Sequence, residues 1–168
     1  MIRAFFLSLC LIGGFFLPVM TQADMPDGVT SDGMIWRARV AEGLTFDDVD
    51  AAITSLAAGL NLRDVGQLPL GQQVTLMQDA PWRTLHIYMF CNPLTAASMI
   101  EHELAFSVWL PCRISLVEDA QGGLWLYTVN MDVLMDQARG MPPSLVAEAQ
   151  NVRNAIYELV AGAAVGDF

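Results

Sequence analysis

The sequence predicts an α+β protein, a two-layer sandwich with helices on one face of a mainly antiparallel sheet, plus a C-terminal helix. Segments that alternate between apolar and polar residues are short and are separated by segments with helical spacing. Two of these strands are joined by a turn containing Gly122-Gly123, which is typical of an antiparallel hairpin. The order strand, helix, strands, helix, hairpin, helices is typical of this class.

The N-terminal segment, residues 1–23, has the features of a cleavable secretory signal. Arg3 precedes an apolar run over residues 4–19, and Ala23 ends a short segment of the kind that signal peptidase cleaves. The run is shorter than the roughly 20 residues that a membrane span needs. We therefore expect a periplasmic or secreted protein that does not stay in the membrane after cleavage, with a disordered leader over residues 24–33.

The first half of the domain is predicted to contain a strand, a helix and a poorly defined segment. Residues 34–40 alternate as a strand does. Thr45 is placed to cap a helix together with Asp48, and Gly59 lies where that helix should end. Residues 60–78 are expected to form one or two weak strands.

The clearest strand is predicted over residues 84–91. Its alternation separates two sets of side chains, and we expect the set that contains Leu85 and Ile87 to face the helices. Asn92-Pro93 provides a cap and a first helical residue, which predicts a helix that runs to about Phe106.

The second half begins with the hairpin, whose strands are predicted over residues 112–118 and 124–129. A short helix is then expected to end near Ala138, and Ser144 is expected to cap a longer one. We therefore divide the mature chain into an α+β domain over residues 34–139 and a C-terminal helical extension over residues 140–168.

The charge of the chain argues against several classes of partner. The formal net charge is −10, and all eight basic residues are arginines. Loss of residues 1–23 would remove Arg3 and no acidic residue, which leaves a net charge of −11. Such a surface repels phosphate backbones and anionic headgroups, so we expect no nucleic acid partner and no membrane-surface partner.

Four short motifs, spread from Gly43 to about Met135, carry a family resemblance. They are Gly43-Leu44-Thr45-Phe46-Asp47-Asp48-Val49, Phe90-Cys91-Asn92-Pro93, Leu110-Pro111-Cys112-Arg113 and Glu118-Asp119-Ala120-Gln121-Gly122. In this order they resemble the bacterial family called domain of unknown function 302. The resemblance implies a similar fold and no established reaction, cofactor or catalytic residue, and we expect no cofactor.

Cys91 and Cys112 are the cysteines that remain after the predicted cleavage. The strand alternation places both on the helix side of the sheet, and an exported protein lies in an oxidising compartment, so a disulfide between them is predicted. Two separate buried thiols, or a reactive Cys91 thiolate at the start of the following helix, are the alternatives.

Metal binding and catalysis have weaker support in the sequence. Met99 and His102 lie three residues apart on a helix and are weak candidates for metal ligands, but no CxxC or HxxxH spacing occurs, and no metal is predicted. No GxSxG motif or glycine-rich phosphate loop is present either. These patterns favour a protein that is not an enzyme.

The outer face of the predicted sheet is rich in aromatic residues. If the helices cover Leu85, Ile87, Ile114, Leu116, Leu124 and Leu126, then the opposite side presents His86, Tyr88, Phe90, Arg113, Trp125 and Tyr127. A face this aromatic is expected to be covered by the C-terminal helix or a second subunit, or to bind a ligand. We therefore expect an exported, non-catalytic binding or accessory module that self-associates or binds a small ligand there. The alternative is a periplasmic thiol- or metal-dependent redox protein that uses Cys91 and Cys112.

Overall fold

The computed structural model describes residues 28–168, so the predicted signal and residues 24–27 of the predicted leader lie outside it. Six strands form one antiparallel sheet in the order β1-β2-β6-β5-β4-β3. Their bounds are β1 Val29–Ser31, β2 Ile35–Arg39, β3 Arg63–Leu68, β4 Leu85–Cys91, β5 Cys112–Glu118 and β6 Leu124–Val129. The α+β class with an antiparallel sheet is thereby confirmed.

Five α-helices and one 3₁₀ helix complete the described part of the chain. They are α1 Phe46–Gly59, α2 Leu70–Gln78, α3 Pro93–His102, the 3₁₀ helix Leu104–Trp109, α4 Met131–Gln137 and α5 Pro143–Val165. Helix α5 packs along α1 and also contacts β2 and β6. Among residues 28–168, no helix combines the length and the hydrophobicity that crossing a bilayer requires.

Two helix starts form as the sequence predicts. The Thr45 hydroxyl accepts the N–H of Asp48, while an Asp48 carboxylate oxygen accepts the N–H of Thr45 at 2.8 Å, which completes a capping box. The side chain of Asn92 accepts the N–H of Thr95, and Pro93 is the first residue of α3. Each cap satisfies backbone donors that a helix start leaves unpaired.

The helices cover one side of the sheet, which we call the covered face. The strand register aligns Tyr88 with Ile114, Ile114 with Thr128, and Thr128 with Trp36. The large side chains of this face are buried, namely Trp36, Tyr88, Phe90, Ile114, Leu116 and Leu126. They form one hydrophobic core with the inner sides of α1 and α5.

The predicted orientation of β4 is wrong. His86, Tyr88 and Phe90 lie on the covered face, whereas Leu85 and Ile87 lie on the other side and are only half-buried. Both sides of this strand are apolar or aromatic, so a period of two identifies the strand but cannot tell which side is buried. Burial of Tyr88 is possible because its hydroxyl donates a hydrogen bond to Asp50 on α1 at 2.7 Å.

Four other expectations need correction. Residues 29–31, in the predicted disordered leader, form strand β1 against β2. Residues 70–78 form helix α2, where a strand was expected, and Pro69 precedes its first residue. Helix α3 ends at His102, and the chain continues as the 3₁₀ helix toward residue 109. Helix α5 begins at Pro143, one residue before the predicted cap, because proline suits the first helical position.

A buried arginine joins α4, α5 and the covered face. Nε of Arg153 donates to Asp132 Oδ1 at 2.6 Å, and its guanidinium carbon lies 5.8 Å from the ring centroid of Trp36. The hydroxyl of Tyr157, on the same helix, donates to Asn130 at 2.9 Å. The charge of Arg153, which is 6% exposed, is therefore compensated by Asp132 and by the aromatic rings around it.

Candidate functional site

The other side of the sheet, which we call the open face, carries no buried side chain. Its residues are Ile35, Arg37, Arg39, Arg63, Leu68, Leu85, Ile87, Met89, Arg113, Ser115, Val117, Trp125, Tyr127 and Val129. Each of these is half-buried or exposed, while β2, β4, β5 and β6 bury most of their alternate residues on the covered face. Helices therefore cover only one side of this sheet.

Arginine and aromatic side chains lie next to each other on the open face. The register aligns Arg39 with Trp125 and Arg37 with Tyr127. The guanidinium carbons of Arg37 and Arg39 lie 5.9 Å and 5.8 Å from the ring centroid of Trp125, which is within the range of a cation–π interaction. The Tyr127 ring centroid is 6.3 Å from that of Trp125. Together they form a flat aromatic surface with two cationic groups beside it.

A carboxylate in the β5–β6 turn fixes the orientation of Trp125. The indole Nε1 donates to Asp119 Oδ2 at 2.8 Å, and Asp119 Oδ1 accepts the N–H groups of Gly123 and Gln121. These hydrogen bonds, first the one from Trp125, hold the pKa of Asp119 below its ordinary value. The turn therefore holds the indole ring in a defined position.

The distribution of charge distinguishes the open face from the rest of the protein. Four of the eight arginines lie on it, namely Arg37, Arg39, Arg63 and Arg113. The two acidic residues within the strands, Asp64 and Glu118, are aligned with Phe90 and Leu124 and so belong to the opposite side. The open face is therefore a basic surface on an acidic protein, with the Asp119 carboxylate at its edge beside Trp125.

The structure separates the six predicted surface residues into two groups. Arg113, Trp125 and Tyr127 lie on the open face, as expected. His86, Tyr88 and Phe90 lie on the covered face, where the ring of His86 stacks on Tyr88 and its Nε2 is 2.9 Å from Gln67 Oε1. Sequence reasoning missed Arg37 and Arg39, although the alternation of β2 had already placed them opposite the buried Trp36 and Ala38.

The two cysteines are free thiols in the structure. Strand β5 aligns Cys112 with Phe90 and not with Cys91, so strict alternation along β4 would place the two cysteines on opposite sides of the sheet. Cys91 is, however, the last residue of β4, and both cysteines line one cavity beneath α3. Burial raises the pKa of the Cys91 thiol, and it raises that of Cys112 to about 11. The disulfide stays a prediction.

The structure does not bring Met99 and His102 together as a metal site. Met99 is buried beneath α3, whereas His102 is exposed at the end of the same helix. Within the range 28–168, no three His, Cys, Asp or Glu residues are grouped closely enough to hold a metal ion. A site that includes methionine sulfur belongs to a different chemical class, and Met99 lines the cavity beneath α3 together with Cys91 and Cys112.

Comparison with known proteins identifies a fold and a family. The crystal structure of an uncharacterized conserved DUF302 protein from Bacillus stearothermophilus is similar to this one, with a TM-score of 0.61 and 13% sequence identity. The similarity covers 76% of this chain and 95% of that one and concerns the fold. A search of curated proteins finds no match. The model of the family described as domain of unknown function DUF302 matches residues 37–163, a range that continues beyond Met135 through most of α5. This chain therefore belongs to the DUF302 family.

Proposed function

We propose that this protein is an exported, non-catalytic binding module that holds small organic anions with a flat apolar part on its open face. The observation that carries the proposal is the pair Arg37 and Arg39 beside the ring of Trp125 on an uncovered sheet face. Within residues 28–168, neither arginine forms an ion pair with a carboxylate. Both guanidinium groups are exposed to solvent and can bind an external anion.

The chemistry of these side chains defines the ligand class. A guanidinium group donates two parallel hydrogen bonds to a carboxylate, sulfonate or phosphate group. Tyr127 and Trp125 provide a flat surface on which an aromatic or planar apolar group can stack. The acidic remainder of the protein repels anions, which favours binding at the basic open face.

A second copy of the chain is the alternative occupant of the open face. In a symmetric dimer the same surface is used by both subunits. Face-to-face pairing would therefore bury Arg37, Arg39 and Arg113 of both subunits in one interface. Repulsion between these like charges disfavours such a dimer and supports a ligand of opposite charge.

Two fluorescent probes of similar shape test the proposal. Anilinonaphthalenesulfonate carries a sulfonate, and phenylnaphthylamine is the neutral analogue. We expect the double variant Arg37→Gln/Arg39→Gln to weaken binding of the sulfonate about tenfold, equal to a loss of about 1.4 kcal/mol, and to leave binding of the neutral probe nearly unchanged. Arg139→Gln, an exposed arginine that follows α4 and lies outside the strands, is the matched control and should change neither affinity.

Removal of the aromatic surface should affect binding more than stability. Trp125→Ala should weaken binding of the sulfonate probe while the melting temperature changes little, because the side chain is only half-buried. Equal affinity for the charged and neutral probes in all variants would contradict the proposal. A dimer seen by light scattering that dissociates in the arginine double variant would instead identify a second copy as the occupant.

Export is tested by the mass of the protein that cells deliver. We expect the polypeptide recovered from the periplasmic or extracellular fraction to begin at Asp24, because Ala23 ends the predicted cleavage site. Intact-mass spectrometry of that fraction measures this directly. A protein that retains residues 1–23 and stays in the cytoplasmic fraction would contradict this part of the proposal.

A further inference from the structure

Three sulfur-containing residues line a small cavity beneath α3. Cys91, Met99 and Cys112 line it, together with apolar residues of the 3₁₀ helix, α4 and α5. Its volume is about 30 Å³, which is room for one small ion or water molecule. Met99 and Cys112 are buried and Cys91 is half-buried, so these three residues are largely shielded from solvent.

The two cysteines are close enough to influence each other electrostatically. Burial is the main cause of the raised pKa of Cys112, and the neighbouring Cys91 raises it further. Two thiols in such surroundings stay protonated at neutral pH unless something compensates the charge of the thiolates. A bound cation supplies that compensation.

The other residues of the cavity wall exclude most metals. No carboxylate and no imidazole lines the cavity. The side chain of Asn92 is engaged in the cap of α3, where its oxygen accepts the N–H of Thr95. Calcium and magnesium need several oxygen ligands, and structural zinc sites have four nitrogen or sulfur ligands. Two thiolates and one thioether match instead the donor preference of a soft monovalent ion.

We propose that Cys91, Cys112 and Met99 form a binding site for one Cu(I) ion. The two cysteine sulfurs bind as thiolates, and each thiol releases its proton to solvent when the bond to copper forms. The copper ion stays Cu(I) throughout, so no oxidant or reductant takes part. The complex carries one net negative charge, and the N-terminal end of the ten-residue helix α3 lies beside it and stabilises that charge.

Titration of the reduced full-length protein with Cu(I) under anaerobic conditions, against a competing chromogenic chelator, tests the site. We expect one Cu(I) per chain, and loss of this binding in Cys91→Ser and in Cys112→Ser. Met99→Leu keeps the volume of the side chain and should weaken binding roughly tenfold. Met89→Leu, on the open face, is the matched control and should leave the affinity unchanged.

A measurement on the unaltered protein covers the case in which the Cys112 variant does not fold. One equivalent of Cu(I) should slow alkylation of both thiols by iodoacetamide, and circular dichroism should show that each variant used remains folded. Absence of Cu(I) retention, or full retention in the folded Cys91→Ser variant, overturns the proposal. Recovery of Cys91 and Cys112 as a disulfide from the exported protein also overturns it, because a disulfide leaves no thiolate for the metal.

Discussion

An arginine lies over a tryptophan on each face of the sheet. The two pairs have the same separation but differ in burial and in charge compensation. On the covered face, Arg153 lies 5.8 Å from the ring centroid of Trp36, and both residues are buried. On the open face, Arg39 lies 5.8 Å from the ring centroid of Trp125, and Arg39 is exposed. Asp132 neutralises the buried arginine, whereas no carboxylate within residues 28–168 pairs with Arg39.

The difference teaches that burial, and not composition, distinguishes the structural face of this sheet from the face that we propose for binding. The buried pair connects α5 to β2, and its charge is already compensated within the protein. In the exposed pair, the hydrogen-bond donors of the Arg39 guanidinium group face solvent. Aromatic content alone does not distinguish the two faces, since each carries aromatic side chains. The arginines without an ion pair support our proposal that the open face binds a ligand.

The largest effect is expected from a matched pair of isoleucines on the two faces. Ile114 is fully buried on the covered face, whereas Ile87 is half-buried on the open face. Ile114→Ala should lower the free energy of unfolding by about 3 kcal/mol because it leaves a cavity in the core. Ile87→Ala should lower it by about 1 kcal/mol. Urea denaturation of both variants measures the difference.

Equal losses in the two isoleucine variants would mean that the open face is covered in solution, by a second copy or by a ligand that copurifies. Repeating the measurement on monomeric, ligand-free protein separates these cases. Binding of the sulfonate probe provides the control, since Ile114→Ala should leave the affinity of the folded protein unchanged.

The sequence predicted the elements whose local chemistry is unambiguous. The capping box of Thr45 and Asp48, the Asn92-Pro93 start of α3 and the β5–β6 hairpin each depend on residues close together in the chain. The division of the hairpin strands between the two faces was also correct, because the charge of Arg113 favours the solvent-exposed side.

The features that the sequence could not predict depend on distant contacts. Strand β4 has apolar side chains on both sides, and only the contact of Tyr88 with Asp50 on α1 shows which side is buried. Helix α2 approaches β4 so closely that a Cβ atom at Gly71 would lie 2.7 Å from the carbonyl oxygen of Arg83. Half of the proposed binding surface depends on the pairing of β2 with β6, two strands that are far apart in sequence.

A smaller effect is expected from removing the partner of the buried arginine. Asp132→Asn leaves the guanidinium of Arg153 without a counter-charge in a buried position, which should cost about 2 kcal/mol of unfolding free energy. The value is reduced because the Asp132 side chain is 48% exposed and water can partly replace it. Asp136→Asn removes the partner of the exposed Arg139 and should cost less than about 0.5 kcal/mol. Similar losses in the two variants would show that water reaches Arg153 freely.

The smallest effect is expected at Asp119, which orients Trp125 on the open face, and it should depend on pH. The folded-state pKa of Asp119 lies below the ordinary value of 3.8, so its ionised form stabilises the native state above that pH and loses this contribution as the pH falls through the folded-state value. We therefore expect Asp119→Asn to be less stable than the original protein at pH 7, and we expect the difference to shrink below pH 3.8. Urea denaturation at both pH values measures this, with Asp136→Asn as the control for loss of a charge. At pH 7 the variant should also bind the sulfonate probe less tightly, because the indole ring loses the carboxylate that accepts its N–H. A stability difference that stays constant from pH 7 to below pH 3.8, with unchanged affinity for the probe, would show that Trp125 is held by packing and not by Asp119.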